Sequence, residues 1–341
     1  MKVHLDITHP AHVHFFRPVI SALELRGDEV VVTSRDKDVT LKLLDFYGME
    51  HQCISRASKS RFHRVWEMLV RDLHLRRILR NNRPDVIVAR EGAFAAQAGW
   101  LAGCPSVSFD DTDDATLQLA SYVPFASRIY TDRAYRRRFG GKHRFFRGVM
   151  PLAYLRPGIF TPDPGLLDQY GLDASERIIL CRLVNWAATH DLGQSGLDRA
   201  DLMAFLKELE SYGRIVITSE EPLADHMERY RSSIHPAHLH HIMAASALYV
   251  GESATMACEC AVLGIPSIHI SSRSVWYTDV LQRNWGLVTN IRNSKDALEL
   301  ARAVLQDSGA APRHRRSLEA YISDTDDIVS TVLEAIDEFK A

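Results

Sequence analysis

The chain has 341 residues, enough for about two domains, with 46% hydrophobic and 25% charged side chains, an ordinary balance for a globular protein. A net charge of -2 supplies no bulk attraction to nucleic acid or to an acidic membrane surface. No apolar run approaches the ~20 residues of a membrane span, and Met1-Lys2-Val3-His4-Leu5-Asp6 enters a strand without a signal-peptide core. A cytoplasmic protein is expected, and peripheral attachment at the inner face of a membrane stays open. The cysteines Cys53, Cys104, Cys181, Cys258 and Cys260 form no CxxC pair, and reduced thiols are the expectation.

Strand patterns recur along the first half at Val3 to Ile7, Glu29 to Thr33, His51 to Ile54, Asp85 to Ala89, Ser106 to Phe109 and Arg128 to Thr131. Helical patterns separate them: Phe15 to Arg26, Lys37 to Tyr47, Arg61 to Arg80 and Ala93 to Leu101. Such alternation predicts a parallel sheet covered on both faces. In Lys37 to Tyr47 and Arg61 to Arg80 charges alternate with apolar residues, so solvated outer faces are expected. The stretch Phe145 to Pro164, rich in Gly and Pro, reads as an interdomain connection. A second series follows, with strands at Arg177 to Val184, Arg214 to Thr218, Leu239 to His241, Leu248 to Gly251, Ser267 to Ile270 and Gly286 to Val288. Terminal helices are predicted at Ala297 to Leu305 and Arg315 to Lys340. The expected division is residues 1–150, residues 165–315, and a C-terminal helix, 316–341, returning to the first domain.

The two halves repeat one another at an offset of 161 positions. Arg90-Glu91-Gly92-Ala93, running to Gly103-Cys104-Pro105-Ser106, matches Gly251-Glu252-Ser253-Ala254, running to Gly264-Ile265-Pro266-Ser267. Each reads as a strand, a short turn, an Ala-rich helix, and a Gly-x-Pro-Ser entry into the next strand, the punctuation of a β-α-β unit. Two such halves imply a ligand cleft beyond the carboxyl ends of the strands.

The second-half turn is the strongest motif. A helix starting after Gly251-Glu252-Ser253-Ala254-Thr255-Met256 offers free N–H groups and a positive dipole end to a phosphate. Ser253 and Thr255 add hydroxyls, and Glu259, four residues beyond Thr255 on the same face, could accept from two ribose hydroxyls. The bland reading is a capped helix with Glu259 at the surface. Arg182, Asn185, His190 and Asp191 end the first strand of this half, and Glu220 and Glu221 the next. Trp276 and Tyr277 could stack on a base or pack in the core.

In the first half, Asp6-Ile7-Thr8-His9-Pro10-Ala11-His12-Val13-His14 reads as a loop crowded with imidazoles. His12 and His14 could form a metal pair, His12 could be a general base oriented by Asp6, Asp110 or Asp111, or the loop could only cap a helix. The run Asp110-Asp111-Thr112-Asp113-Asp114 lacks the Gly and distal Glu of an EF-hand. It could bind an ion or sugar hydroxyls, or be a solvated helix start. Arg90 could hold an acidic acceptor, a pyrophosphate or an ordinary salt bridge. The chain has no GxGxxG, no GxxxxGK[ST] and no GxSxG, which disfavours a classical NAD dehydrogenase, a P-loop NTPase and an α/β-hydrolase.

The segment from Asp6 to Phe16, together with Gly251 to Pro266, resembles the family catalogued as domain of unknown function 354, over nearly the whole chain. That family is similar to GT-B glycosyltransferases of the MurG type and to non-hydrolysing UDP-N-acetylglucosamine 2-epimerases. The resemblance implies an α/β, GT-B-like fold of two Rossmann-like domains facing across a cleft. It implies a metal-independent glycosyltransferase using a nucleotide-diphosphate sugar and an unidentified acceptor, without a separate cofactor. The alternatives are an epimerase of the same fold or a non-catalytic sugar-nucleotide-binding protein. By resemblance Ser253, Ala254 and Thr255 match the phosphate turn, Glu259 the ribose carboxylate and His12 the histidine of the first-half loop. Beside them, from the residues alone, Met256, Arg182, Asn185 and Glu220 are expected at the nucleotide and Asp6 and Asp111 as catalytic partners of His12. MurG-type proteins have glycines where this chain has Thr8-His9-Pro10-Ala11, so acceptor and mechanism do not carry over.

Overall fold

The computed structural model describes residues 1–57, 61–183, 199–219, 223 and 225–340, and the chain divides into two compact α/β units. The first comprises Met1–Tyr154 and Thr325–Ala341, the second Leu155–Asp324.

Among the described residues the first unit holds seven strands: β1 (Lys2–Ile7), β2 (Glu29–Asp36), β3 (Gln52–Arg56), β4 (Val86–Arg90), β5 (Ser106–Phe109), β6 (Arg128–Asp132) and β7 (His143–Phe146). They pair in parallel in the order β3-β2-β1-β4-β5-β6-β7. Every residue of β4 is buried, as a central strand covered on both faces requires. The order reverses between β1 and β4, the switch point where a doubly wound sheet opens a crevice.

The second unit holds β8 (Ile178–Leu183), β9 (Arg214–Ser219), β10 (Ser246–Gly251), β11 (Ser267–Ile270) and β12 (Val288–Ile291), all parallel, in the order β12-β11-β10-β8-β9. Counted from its own first strand this is the 2-1-3-4-5 arrangement, with its switch point between β8 and β10. Ile179, Ile217, Leu248, Val250, Leu206 and Ala301 are among the residues that close its core.

Several elements depart from the expectations. The first helix, Pro10–Leu25, begins five residues before Phe15, because Pro10 is suited to a first helical turn and the His9 ring caps it by accepting from the Ala11 amide at 3.2 Å. His12 and His14 are therefore helical residues rather than loop residues. Leu239–Ala244 is a helix where a strand was expected. Residues 143–146, half of them assigned to the connection, form the edge strand β7. The expected terminal helix is two helices, Ala310–Ser323 and Ile328–Asp337, the second capped by Asp327 Oδ1, which accepts from the Ser330 amide at 3.0 Å. The break coincides with the return of the chain to the first unit, so residues 316–341 are shared between both units. There Ile328, Val332 and Ile336 are buried, and Arg128–Glu338 and Arg147–Asp326 pair at 2.7 and 2.8 Å.

The helix Arg61–Asn82 departs in part from its expected polarity: Leu75 and Leu79 pack inward and Arg77 and Arg80 are exposed, as expected. Against expectation, Arg71 and Asp72 face inward while Trp66, Leu69 and Leu73 face solvent. Among the described residues no helix is long and apolar enough to cross a membrane.

Candidate functional site

In the second unit the candidate site is the turn that leaves β10. A Cβ on Gly251 would lie 2.7 Å from both the Arg182 carbonyl oxygen and the Tyr249 hydroxyl. Glycine is thus required by the close approach of β8 and of this phenol. Four further bonds fix the turn. The Glu252 amide donates to the Arg182 carbonyl at 3.1 Å, the Tyr249 hydroxyl donates to the Ser253 carbonyl at 3.0 Å, and His269 bridges the Glu252 backbone and Asn290 Oδ1, the latter at 2.8 Å. Tyr249, His269 and Asn290 went unnoticed in the sequence, where each is an ordinary strand residue.

Ser253 caps the helix Ala254–Val262 by accepting from the Met256 amide at 3.3 Å. That spends one of the four amides a helix start leaves open, and the amides of Ala254 and Thr255 take no partner in the hydrogen bonds of the described residues. Thr255 is exposed beside them, and Ser253, Ala254 and Arg182 are half-buried. Met256 is a correction: its side chain is buried with the sulfur 3.9 Å from the Thr218 hydroxyl, so it packs and offers a ligand nothing. Glu259 is buried one turn deeper, not at the surface, with Oε1 3.2 Å from His240 Nε2. Asn185, His190, Asp191, Glu220 and Glu221 lie outside the described residues. Trp276 is buried with Tyr277 edge-on at 5.6 Å, a packing arrangement.

In the first unit the chemistry gathers at the carboxyl ends of β1, β4 and β5, around the switch point. Arg90 is buried, lies 5.3 Å over the Phe15 ring and donates to Asp111 Oδ2 at 2.6 Å. Glu91 follows in the left-handed region, at φ 47, rare for a residue with a side chain and a frequent mark of a site under constraint. Its two oxygens accept from the Thr112 hydroxyl and the Gln118 amide, each at 2.8 Å. Asp110 accepts from the Thr112 amide at 2.6 Å and from the hydroxyls of Tyr122 and Tyr135. Gln118, Tyr122 and Tyr135 were invisible in the sequence, lying beyond the acidic run on a helix and a later loop.

These carboxyls titrate apart. Burial, reinforced by the neighbouring charge of Glu91, pushes Asp110 up to about 7. Burial also raises Asp111, against the pull of Arg90. For Glu91 burial is outweighed by Arg90 and by its two hydrogen bonds, and it is held below the ordinary carboxylate value. Such divergence is what acid and base roles require.

His12 is buried, and desolvation, with Arg90 beside it, holds its pKa well below 6.5. It is neutral at pH 7 and a weaker base than an ordinary imidazole. Its Nδ1 faces the Thr8 amide at 3.4 Å. Asp6 does not orient it: Asp6 Oδ1 accepts from Thr33 at 2.7 Å and from Arg71 at 2.5 Å, both far along the chain. His14 stacks on Tyr154 at 5.6 Å, and residues two apart on a helix diverge, so the pair with His12 is not a metal clamp. Hollows of about 420 and 300 Å³ in the second unit open at the amino ends of its strands, away from the turn, where α/β sheets do not place ligands.

The chain belongs to the family described as Protein of unknown function (DUF354), whose model matches residues 1–337. It is 24% identical over 282 residues to an uncharacterized protein, MJ0665, of Methanocaldococcus jannaschii, covering 79% of this chain and 81% of that one. Among solved structures it is similar to S. aureus MnaA in its co-structure with UDP, with a TM-score of 0.69 and 12% identity over 99% of this chain and 96% of that one. It is also similar to the UDP-GlcNAc 2-epimerase of Methanocaldococcus jannaschii, with TM-score 0.65 and 10% identity over 94% of this chain and all of that one. The forosaminyltransferase SpnP matches with TM-score 0.64 and 12% identity over 98% of this chain and 99% of that one. At these identities the likeness is one of fold, and it gives the chain the α/β, GT-B-like class.

Proposed function

We propose that the chain is an enzyme acting on a nucleotide-diphosphate sugar, and that it transfers the sugar to an acceptor. The observation that carries the reading is the turn after β10: two open helix amides, a flanking Arg182, and the buried carboxylate of Glu259 one turn beyond. The amides and guanidinium would take the diphosphate, and Glu259 would accept from the ribose. In the transfer the acceptor oxygen bonds to the anomeric carbon, the bond from that carbon to the phosphate oxygen breaks, and the nucleotide leaves with the electron pair. The acceptor proton passes to Glu91, the carboxylate of the first unit that is held below its ordinary value. Asp110, titrating near neutrality, supplies the complementary acid. His12 then acts as a hydrogen-bonding group rather than as the base.

The divergent carboxyls of the first unit favour a second reading, an epimerase, since acid and base on one sugar suffice without an acceptor. Calorimetry with UDP-, GDP-, dTDP- and CMP-sugars, followed by product analysis, separates the readings. Sugar delivered to an added acceptor supports transfer, and an isomerised sugar nucleotide without acceptor supports epimerisation. Binding without turnover would leave a sugar-nucleotide-binding protein, and absence of binding to the whole panel would refute the proposal.

A further inference from the structure

The helix Arg61–Asn82 exposes what a soluble helix normally buries. Trp66, Leu69 and Leu73 are 67%, 52% and 58% exposed and stand at i, i+3 and i+7, one stripe along the outer face. The stripe runs on into Arg77 and Arg80, both exposed. The two carboxylates of the helix are turned away: Glu67 is held by Arg35 at 2.7 Å, and Asp72 is buried. A neighbouring helix, Ala93–Ala102, extends the surface with Trp100 and Leu101, 63% and 41% exposed; the Leu101 carbonyl accepts from Arg76 Nε at 3.3 Å. The outcome is an outward surface of tryptophan, leucine and arginine to which this helix adds no exposed carboxylate. Net charge near neutrality hides it, since the charge of the whole chain averages over faces.

We propose that this surface docks on an anionic phospholipid bilayer, as the protein's peripheral membrane attachment. Leucines enter the acyl boundary, indoles prefer the interface, and arginines meet the lipid phosphates, the chemistry of an interfacial amphipathic helix. Charge complementarity selects this occupant. A second copy docked through the same stripe is the competing occupant, and it would leave the arginines without the anionic partner that a lipid phosphate supplies. The inference is independent of what the protein does to a sugar nucleotide.

The test is cosedimentation of the full chain with phosphatidylcholine vesicles, with and without about a third phosphatidylglycerol, at low salt and at roughly 0.5 M NaCl. Binding to the anionic vesicles at least ~10-fold above the neutral ones, weakened by salt, is the expected result. The double variants Leu69→Ser with Leu73→Ser, and Arg77→Glu with Arg80→Glu, should each reduce binding by ~10-fold while the melting temperature stays unchanged, the side chains being exposed. A blue shift on vesicle addition that is missing in Trp66→Phe supports the same contact, and decides the matter should the double variants melt early. No binding to anionic vesicles, variants that bind as well as the wild type, a Trp66 signal that does not move, or a solution dimer abolished by these variants would each overturn the proposal.

Discussion

His240 Nε2 lies 3.2 Å from Oε1 of Glu259, and both side chains are buried, so a carboxylate one turn inside the helix Ala254–Val262 is fixed in place by an imidazole from the preceding helix. Oε1 of Glu259 is thereby oriented, and the plane of the carboxylate with it.

The first prediction follows from this pair. Glu259→Ala should weaken nucleotide-sugar binding by about 1–3 kcal/mol, the range for a charged hydrogen-bond acceptor. Calorimetry on the folded variant checks it, and unchanged affinity would remove Glu259 from the ribose site. Glu259→Gln should fall between the two, since the amide oxygen still accepts.

Asp110→Asn and Glu91→Gln should each cut turnover by ~10²-fold or more while nucleotide affinity stays nearly constant, the usual scale for loss of an acid or base. Because burial lifts Asp110 to about 7, the wild-type rate should show a limb near that pH which Asp110→Asn abolishes. His12→Ala should cost less than either. A His12→Ala variant as damaged as Glu91→Gln would restore the imidazole as the base.

Asp72 gives a stability prediction with a definite sign. Burial and the nearby charge of Asp6 lift its carboxyl to about 7, and Oδ1 is buried without a hydrogen bond. Between about pH 4 and 7 the unfolded chain has lost this proton while the folded one keeps it, so stability falls as pH rises through that window. Asp72→Asn removes the titration. Urea melts should show its stability relative to wild type improving by about 2–4 kcal/mol from pH 4 to pH 8. A pH-independent difference would mean that Asp72 ionises normally.

Gly251→Ala should destabilise the second unit by about 1–3 kcal/mol, because the new methyl meets the Arg182 backbone and the Tyr249 hydroxyl at 2.7 Å. Thermal melting measures this directly. Tyr249→Phe should loosen the same turn by removing the bond to Ser253, with a smaller loss of about 1 kcal/mol.

The alternation of strands and helices was legible because parallel strands carry continuous apolar runs and the repeat after β4 and β10 carries its own Gly-x-Pro-Ser punctuation. Element edges were harder. Pro10 was the available signal for an early helix start, and the histidines around it drew the reading toward a loop. Leu239 to His241 is too short for periodicity to tell a strand from a helix. The site was legible where residues lie consecutively, as from Ser253 to Glu259. It was illegible where the fold joins distant positions: nothing in the spacing foretells that Arg71 takes Asp6, or that Gln118, Tyr122 and Tyr135 close on Glu91 and Asp110.

The return of residues 325–340 to the first unit has a consequence for how the protein is made. All of Leu155–Asp324 lies between the two pieces of that unit, as an insertion in its sequence. During synthesis the seven-stranded sheet emerges early yet must wait, with the apolar sites later filled by Ile328, Val332 and Ile336 uncovered, while the whole inserted unit is translated. The nascent chain should therefore complete its second unit first, and during that interval its oldest segment is the one most in need of a chaperone.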